Sequence, residues 1–364
     1  MGFTILIHKT IEKLFEGEID FRYHHIRNDK LENVEENIII GPGGILSGSY
    51  TPEKKPDEWL IRHLTQSRVD DWSKKGKNVT FFGTGTNTPL NPNKNQKPFS
   101  LNSEKTISDL ISMSSGAFVR GNYDRMRLQT ICQSEDVSKL SFQPCPSVFI
   151  DTMASSRHDK LDKIAVNFPF LKSITSENVE KHPIKRFITY ARSLGLDCVF
   201  SPNHTQDINP YVFDLFDEVD VSEDLANFIC SPEFDYAQGQ VKMQDEWEGI
   251  NCIFSRFSGY RFAFGARLHS FLPFMSFETP SLFLTGNVAR MPMPIDYFNN
   301  PIYLAKNGFH PDINKMEEVV DGMIERLNYF IKNEASLVSE IRREKERLWK
   351  ITELNKIRLL SNLI

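Results

Sequence analysis

The sequence predicts an α/β protein with two parallel-sheet domains facing a cleft and helices at the C-terminal end. Three observations predict it. Short apolar runs suited to buried strands alternate with stretches of helical spacing, several of these runs lead into Gly-, Pro- or Asn-rich loops, and apolar residues recur at helical spacing from Asn314 onward. A chain of 364 residues is long enough for two such cores.

In chain order, the run at residues 37–40 reads as a buried strand leading into Gly41-Pro42-Gly43-Gly44. Residues 56–75, charged and with spaced apolar positions, read as a surface helix. Residues 79–82 form a second strand that ends in a glycine turn at 83–87, and residues 88–105, rich in Pro, Asn and Lys, read as a loop. A third strand is expected at 116–120, a helix at 124–132, a fourth strand at 147–150 and a polar linker at 151–162. The second set comprises strands at 163–168, 198–200, 251–254 and 281–284, with a helix at 178–195 closed by Gly195. From Asn314, Met316, Val319, Val320, Met323, Ile324, Leu327 and Phe330 mark a helix, and its charged continuation to the C-terminus is expected to pack across the domains. The expected boundaries are an N-terminal domain over 1–155, a C-terminal domain over 156–312 and helices over 313–364.

Composition narrows the function. A formal net charge of −5 argues against a general nucleic-acid binder but leaves room for a local cationic pocket. The 28 phenylalanines, many between Phe254 and Phe283, point to well-filled cores. The five cysteines are odd in number and show no CxxC spacing, which favours reduced thiols over a disulfide framework or zinc site. No apolar run approaches the ~18–20 residues of a membrane span, and residues 1–7 lack a signal-peptide pattern. A cytoplasmic location is expected, with no metal and no cofactor.

The most informative segment is Phe264-Gly265-Ala266-Arg267-Leu268-His269. It places a permanent cation and a titratable imidazole two residues apart behind a glycine. Arg offers a planar fork to carboxylate or phosphate, and His offers a proton near neutral pH. The loops 41–44, 83–87, 201–207 and 265–269 all follow expected strands, where parallel sheets bind ligands. His204 and Asp207 lie in one of them, and an Asp207 cap explains that loop nearly as well. Arg120 is either a cleft cation or a domain-surface residue. The glycines at 41, 43 and 44 either permit a tight strand exit or present backbone N–H groups to an anion.

With these segments in place, the chain resembles the polysaccharide pyruvyl transferase family over residues 37 to 290. The resemblance rests on Ile40-Gly41-Pro42-Gly43-Gly44, Phe82-Gly83-Thr84-Gly85, Val119-Arg120, Pro146-Ser147, Pro202-Asn203-His204 with Asp207, and Gly265-Ala266-Arg267-Leu268-His269 with Pro280-Ser281-Leu282. It implies two Rossmann-like domains similar to the B-type glycosyltransferase fold, and transfer of a pyruvyl group from phosphoenolpyruvate to sugar hydroxyls of a poly- or oligosaccharide, forming a ketal and releasing phosphate. It implies Arg267 as the donor clamp and His269 as the general acid. Arg120, Gly43, Gly44, Gly83, Gly85, His204 and Leu268 are its further substrate-binding candidates. The expected partners are phosphoenolpyruvate and a carbohydrate acceptor. Residues 1–36 depart from the family, which opens on a strand leading into a short Asn/Gly/Asp-containing loop. Two alternatives share the same frame. One is a nucleotide-sugar glycosyltransferase, with Glu278 or Asp207 on the ribose hydroxyls, and the other is a catalytically idle carbohydrate-binding relative.

Overall fold

A computed structural model of the chain describes residues 2–16, 18–22, 34–46, 64–86, 99, 101–154, 157–167, 174–202, 211–220, 254, 257–285, 290–305 and 313–363. The chain divides into two units. One comprises Leu14–Pro146, Asn287–Tyr297 and Glu346–Ile364, and the other Met1–Lys13, Ser147–Gly286 and Phe298–Lys345. The boundary therefore falls at 146/147 instead of 155/156, and each unit also takes in segments from distant parts of the sequence.

The first unit holds a parallel sheet built from β1 (Asn37–Ile40), β2 (Gly43–Leu46), β3 (Asn78–Thr86), β4 (Ser114–Val119) and β5 (Leu140–Phe142). Its order is β1-β3-β4-β5, and β2 also pairs with β3. From Val79 onward every residue of β3 is buried, as expected of a central parallel strand covered on both faces. Its period of two divides the two cores. Val79 and Phe81 pack with Val69 and Trp72 of α2 (Gln66–Lys74) and with Ile107, Leu110 and Ile111 of α3 (Leu101–Ser112). Phe82 faces the other way, against Phe15 and Phe118, with ring centroids 5.6 and 6.4 Å apart. Thr65 caps α2, its Oγ1 accepting from Arg68 N–H at 3.3 Å.

The second unit holds a five-stranded parallel sheet of β6 (Leu161–Asn167), β7 (Asp197–Phe200), β8 (Glu218–Val219), β9 (Tyr260–Gly265) and β10 (Ser281–Phe283), in the order β10-β9-β6-β7-β8. From β6 the chain first winds outward to β7 and β8, then returns to the other side of β6 for β9 and β10. The order reverses between β6 and β9, which defines a topological switch point of the doubly wound type. Side chains confirm that the two halves are wound on opposite faces. Phe264 meets Phe187 of α5 (Ile184–Ser193), whereas Ala165, Val199 and Ala263 pack with Phe274 and Phe277 in and after α7 (Leu272–Ser276).

Several elements differ from expectation. Residues 83–86 continue β3, because Gly83 and Gly85 are buried inside the sheet. The segment Pro146–Met153 is a 3-10 helix and not a strand. The helix expected over 178–195 is a 3-10 turn, Val179–Lys181, followed by α5, with Pro183 at the joint. Residues 101–105, read as loop, belong to α3. Of the strand expected at 251–254, residues 251–253 lie outside the described residues and Phe254 is helical, and β9 was not anticipated. The chain opens on α1 (Gly2–Leu14), with no assignment made there from sequence. α4 (Asn122–Gln129) lies between β4 and β5, and α6 (Val212–Leu215) and α8 (Met293–Phe298) lie between β5 and the last helix.

The last helix, α9 (Ile313–Leu363), departs from helical geometry at Asn333, whose Nδ2 donates to Tyr329 O at 2.8 Å. Its first part buries Val320, Met323, Leu327 and Phe330 in the second unit. Its last part lines the first unit's sheet edge. Asn355 Nδ2 donates to Phe142 O at 2.8 Å, and Gln143 Nε2 donates to Thr352 Oγ1 at 3.1 Å. No helix among the described residues is long and apolar enough to cross a membrane.

Candidate active site

The carboxyl end of β9 runs directly into the Arg267–His269 turn. Gly265 pairs with Asn167, the last residue of β6, and Ala266 N–H donates to Asn167 O at 3.2 Å. The turn therefore sits at the switch point, beside the carboxyl end of β6. Ser270 N–H donates to Arg267 O at 2.9 Å, closing a 3-10 turn over Leu268–Ser270. Gly265 is required by this fold-back, since a Cβ there would lie 2.0 Å from Ser270 O. Leu268 is buried and anchors the turn, while Arg267 and His269 on either side are half-buried. The buried Leu268 side chain thus supports its two neighbours.

Other residues of the carboxyl edge were not singled out from sequence. Asn167 Nδ2 donates to Ser201 O, just beyond β7, at 3.0 Å. Leu284 N–H donates to Gly265 O at 2.8 Å, tying the exit of β10 to that of β9. At the start of α5, His182 Nδ1 accepts from Ile184 N–H at 3.3 Å, and burial lowers the imidazole pKa to about 4, so it is neutral near pH 7. His204, with Asn203 and Asp207, lies outside the described residues.

Arg120, Gly43, Gly44, Gly83 and Gly85 belong to the first unit. Arg120 is neither on the surface nor available to a substrate. It is 2% exposed, its Nη2 donates to Thr86 O at 2.6 Å, and its Nε stands 3.6 Å from Asp124 Oδ2. Asp124 Oδ1 in turn accepts from Thr86 N–H at 2.7 Å and from Thr86 Oγ1 at 2.5 Å. Burial raises the Asp124 pKa, against the opposing pull of Arg120 and the Thr86 hydrogen bonds. Gly85 makes room for this pair, since a Cβ there would lie 2.2 Å from Arg120 Nε. Gly83 is enclosed by Pro42 and Pro146, and Gly43 and Gly44 lie within β2, where Gly43 pairs with Thr84. Gly83 and Gly85 are thus buried positions that shape the interior of the first unit.

A third cluster engages Glu278. Its carboxylate accepts from Arg157 Nη1 at 2.9 Å and from Arg342 Nη2 at 2.7 Å. Burial raises its pKa, but the hydrogen bonds and charges of Arg342 and Arg157 and the charge of Lys345 outweigh it, and the pKa falls to about 2. Asp151 joins the network through Arg157 and Lys345, each at 2.7 Å. With both oxygens engaged, Glu278 is not placed to receive a ribose.

No protein-family model matches the chain, and no curated protein matches it. Among solved structures it is similar to a complex of S. aureus MnaA with UDP, at 12% identity and a TM-score of 0.40, covering 81% of this chain and 71% of that one. It is similar to TarM at 11% identity and a TM-score of 0.39, covering 79% of this chain and 51% of TarM. The wall teichoic acid polymerase TagF follows at 10% identity and a TM-score of 0.32, covering 78% and 70%. The chain thus spans about half the length of the matched TarM chain. At these values no activity transfers from the matched proteins, and the chemistry is read from the chain's own residues.

Proposed function

We propose that the chain is a transferase acting on a carbohydrate, with an anionic donor held at the Arg267–His269 turn. The supporting observation is the turn's position: it follows β9 at the reversal in strand order, where doubly wound sheets take ligands. In the finer form of this reading the donor is phosphoenolpyruvate and the reaction is pyruvyl transfer, as the resemblance in sequence implies.

The chemistry suits the two side chains. Phosphoenolpyruvate carries a carboxylate and a phosphate, either of which the Arg267 guanidinium can grip. Protonated His269 delivers a proton to the methylene carbon, and the alkene electron pair forms the new C–H bond. The adjoining cationic carbon takes an electron pair from a sugar hydroxyl, whose proton is released. Inorganic phosphate leaves with the C–O pair, and a second hydroxyl closes the ketal with loss of a second proton. A positioned general acid contributes ~10²–10⁴-fold, and a cation beside the departing phosphate stabilises it electrostatically.

Release of inorganic phosphate from phosphoenolpyruvate, followed by ³¹P NMR with a panel of oligosaccharides, tests this reading. Acceptor-dependent release that His269→Ala slows by about a hundredfold or more supports it. Release that is independent of acceptor, or equal in the variant, contradicts it.

A second reading, glycosyl transfer from a nucleotide sugar, rests on Asn167 Oδ1 at the switch point, an acceptor without a hydrogen-bond partner among the described residues that a sugar hydroxyl of such a donor could complete. The Glu278 ion pairs weaken its original form, because that carboxylate is already occupied.

A further inference from the structure

Two side-chain atoms at the carboxyl edge of the second sheet have no hydrogen-bond partner among the described residues. Asn167 and Ser201 are each 1% exposed. The bond from Asn167 Nδ2 to Ser201 O fixes the orientation of the amide. Among the described residues, neither Asn167 Oδ1 nor Ser201 Oγ then has a hydrogen-bond partner. By the alternation of β6 and β7, both residues share a face with Ala165 and Val199. Asn167 also pairs with Gly265 and its backbone oxygen accepts from Ala266 N–H, so Asn167 adjoins the base of the Arg267 turn, with Ser201 beyond it on the side of β7.

Buried polar groups are nearly always paired, and an unpaired one calls for an explanation. Asn167 Oδ1 can only accept, so what completes it must donate. The fully ionised carboxylate and phosphate of phosphoenolpyruvate have no donor. A hydroxyl does, and its oxygen can also receive a bond from Ser201 Oγ. We propose that Asn167 and Ser201 form a hydroxyl-binding subsite beside Arg267. The ligand group it holds is a hydroxyl of an acceptor sugar or of the sugar moieties in a nucleotide-linked donor. This inference rests on the reading of the Arg267 turn as the site.

Ser201→Ala in the full chain tests it by calorimetry and thermal unfolding. The probes are phosphoenolpyruvate, UDP-N-acetylglucosamine, and lactose with phosphoenolpyruvate present. Removing a hydroxyl without a partner leaves the unfolding temperature of the free protein unchanged or raises it. Affinity for a hydroxyl-bearing probe falls about three- to tenfold, the worth of one hydrogen bond, while affinity for phosphoenolpyruvate alone does not change. Weakened lactose binding identifies the acceptor as the source of the hydroxyl, and weakened UDP-N-acetylglucosamine binding identifies a nucleotide donor. A fall of several degrees in the unfolding temperature overturns the subsite, as does unchanged affinity for both hydroxyl-bearing probes. If phosphoenolpyruvate binds and neither hydroxyl-bearing probe does, the subsite fails while the Arg267 reading stands. Hydroxyl-probe binding that Ser201→Ala weakens and Arg267→Ala leaves intact has the reverse meaning. Absence of binding by all three overturns both.

Discussion

Substitution of Gly265 by Ala perturbs the turn at its base. An added Cβ would lie 2.0 Å from Ser270 O, 2.5 Å from Ser270 Cβ and 2.7 Å from Ser270 C, whereas ordinary contact begins at 3.4 Å. The carbonyl oxygen must therefore retreat by about 1.4 Å, and two of the three obstructing atoms are backbone. Ser270, Phe271 and Leu268 are all buried, so the turn has little room to yield. Overpacking of this kind costs ~1–3 kcal/mol, and a backbone clash in a closed turn places it near the upper end, about 3 kcal/mol. At roughly 2–4 °C per kcal/mol for a domain of this size, the melting temperature should fall by about 6–12 °C. The same displacement moves Arg267 and His269, so ligand binding should fall with stability. Circular dichroism melting and calorimetric titration on the same variant measure both. A melting temperature within about 2 °C of the parent, together with undiminished binding, would refute the close approach on which the turn's geometry rests.

Glu278→Gln should cost about 1–2 kcal/mol near pH 7. The shift from 4.5 to about 2 corresponds to roughly 3 kcal/mol, and screening of the half-exposed Arg157 and Arg342 reduces it. Because the folded-state pKa is depressed, this stability is present above about pH 4.5 and is lost as pH falls toward 2, so urea unfolding of parent and variant should converge over that window. Arg120→Ala leaves Asp124 buried without its cation and should destabilise the first unit by ~3–5 kcal/mol in urea unfolding. Normal stability with lost ligand binding would instead return Arg120 to the site. Replacing His182 by Gln should leave the pH profile of any activity unchanged between pH 6 and 8, since a group with a pKa of about 4 does not titrate there. A displaced profile would contradict that assignment.

Much of the strand framework was legible because parallel strands buried on both faces are continuous apolar runs. Residues 37–40 and 198–200 show this, and the helical spacing after Asn314 was legible for the corresponding reason. β9 was missed although it carries the turn. Its Tyr260, Phe262 and Phe264 fall at alternate positions, a period-two aromatic signal that the surrounding phenylalanines obscure. Residues 147–150 misled in the opposite direction, since the short apolar run Val148-Phe149-Ile150 suits a strand or a turn of 3-10 helix equally well. Arg267 and His269 stand out in the sequence by residue type and spacing, and the structure places both on the turn that follows β9. Asn167 and Ser201 were not, because their unused hydrogen-bonding atoms are apparent only from the pairing of β6 with its neighbours. Arg120 misled because a cation after a strand looks the same in sequence whether it meets a ligand or a buried Asp124 four residues on.

Thermal unfolding with and without phosphoenolpyruvate, in the parent chain and in Arg267→Ala, tests most directly whether the switch-point turn holds an anionic donor. Ligand at about 100 times its dissociation constant stabilises by ~2.7 kcal/mol, a rise of several degrees. The expected result is that rise in the parent and its disappearance in Arg267→Ala, each compared with the same protein free of ligand. An equal rise in both proteins would place the anion elsewhere, and no rise in the parent would remove phosphoenolpyruvate as the donor.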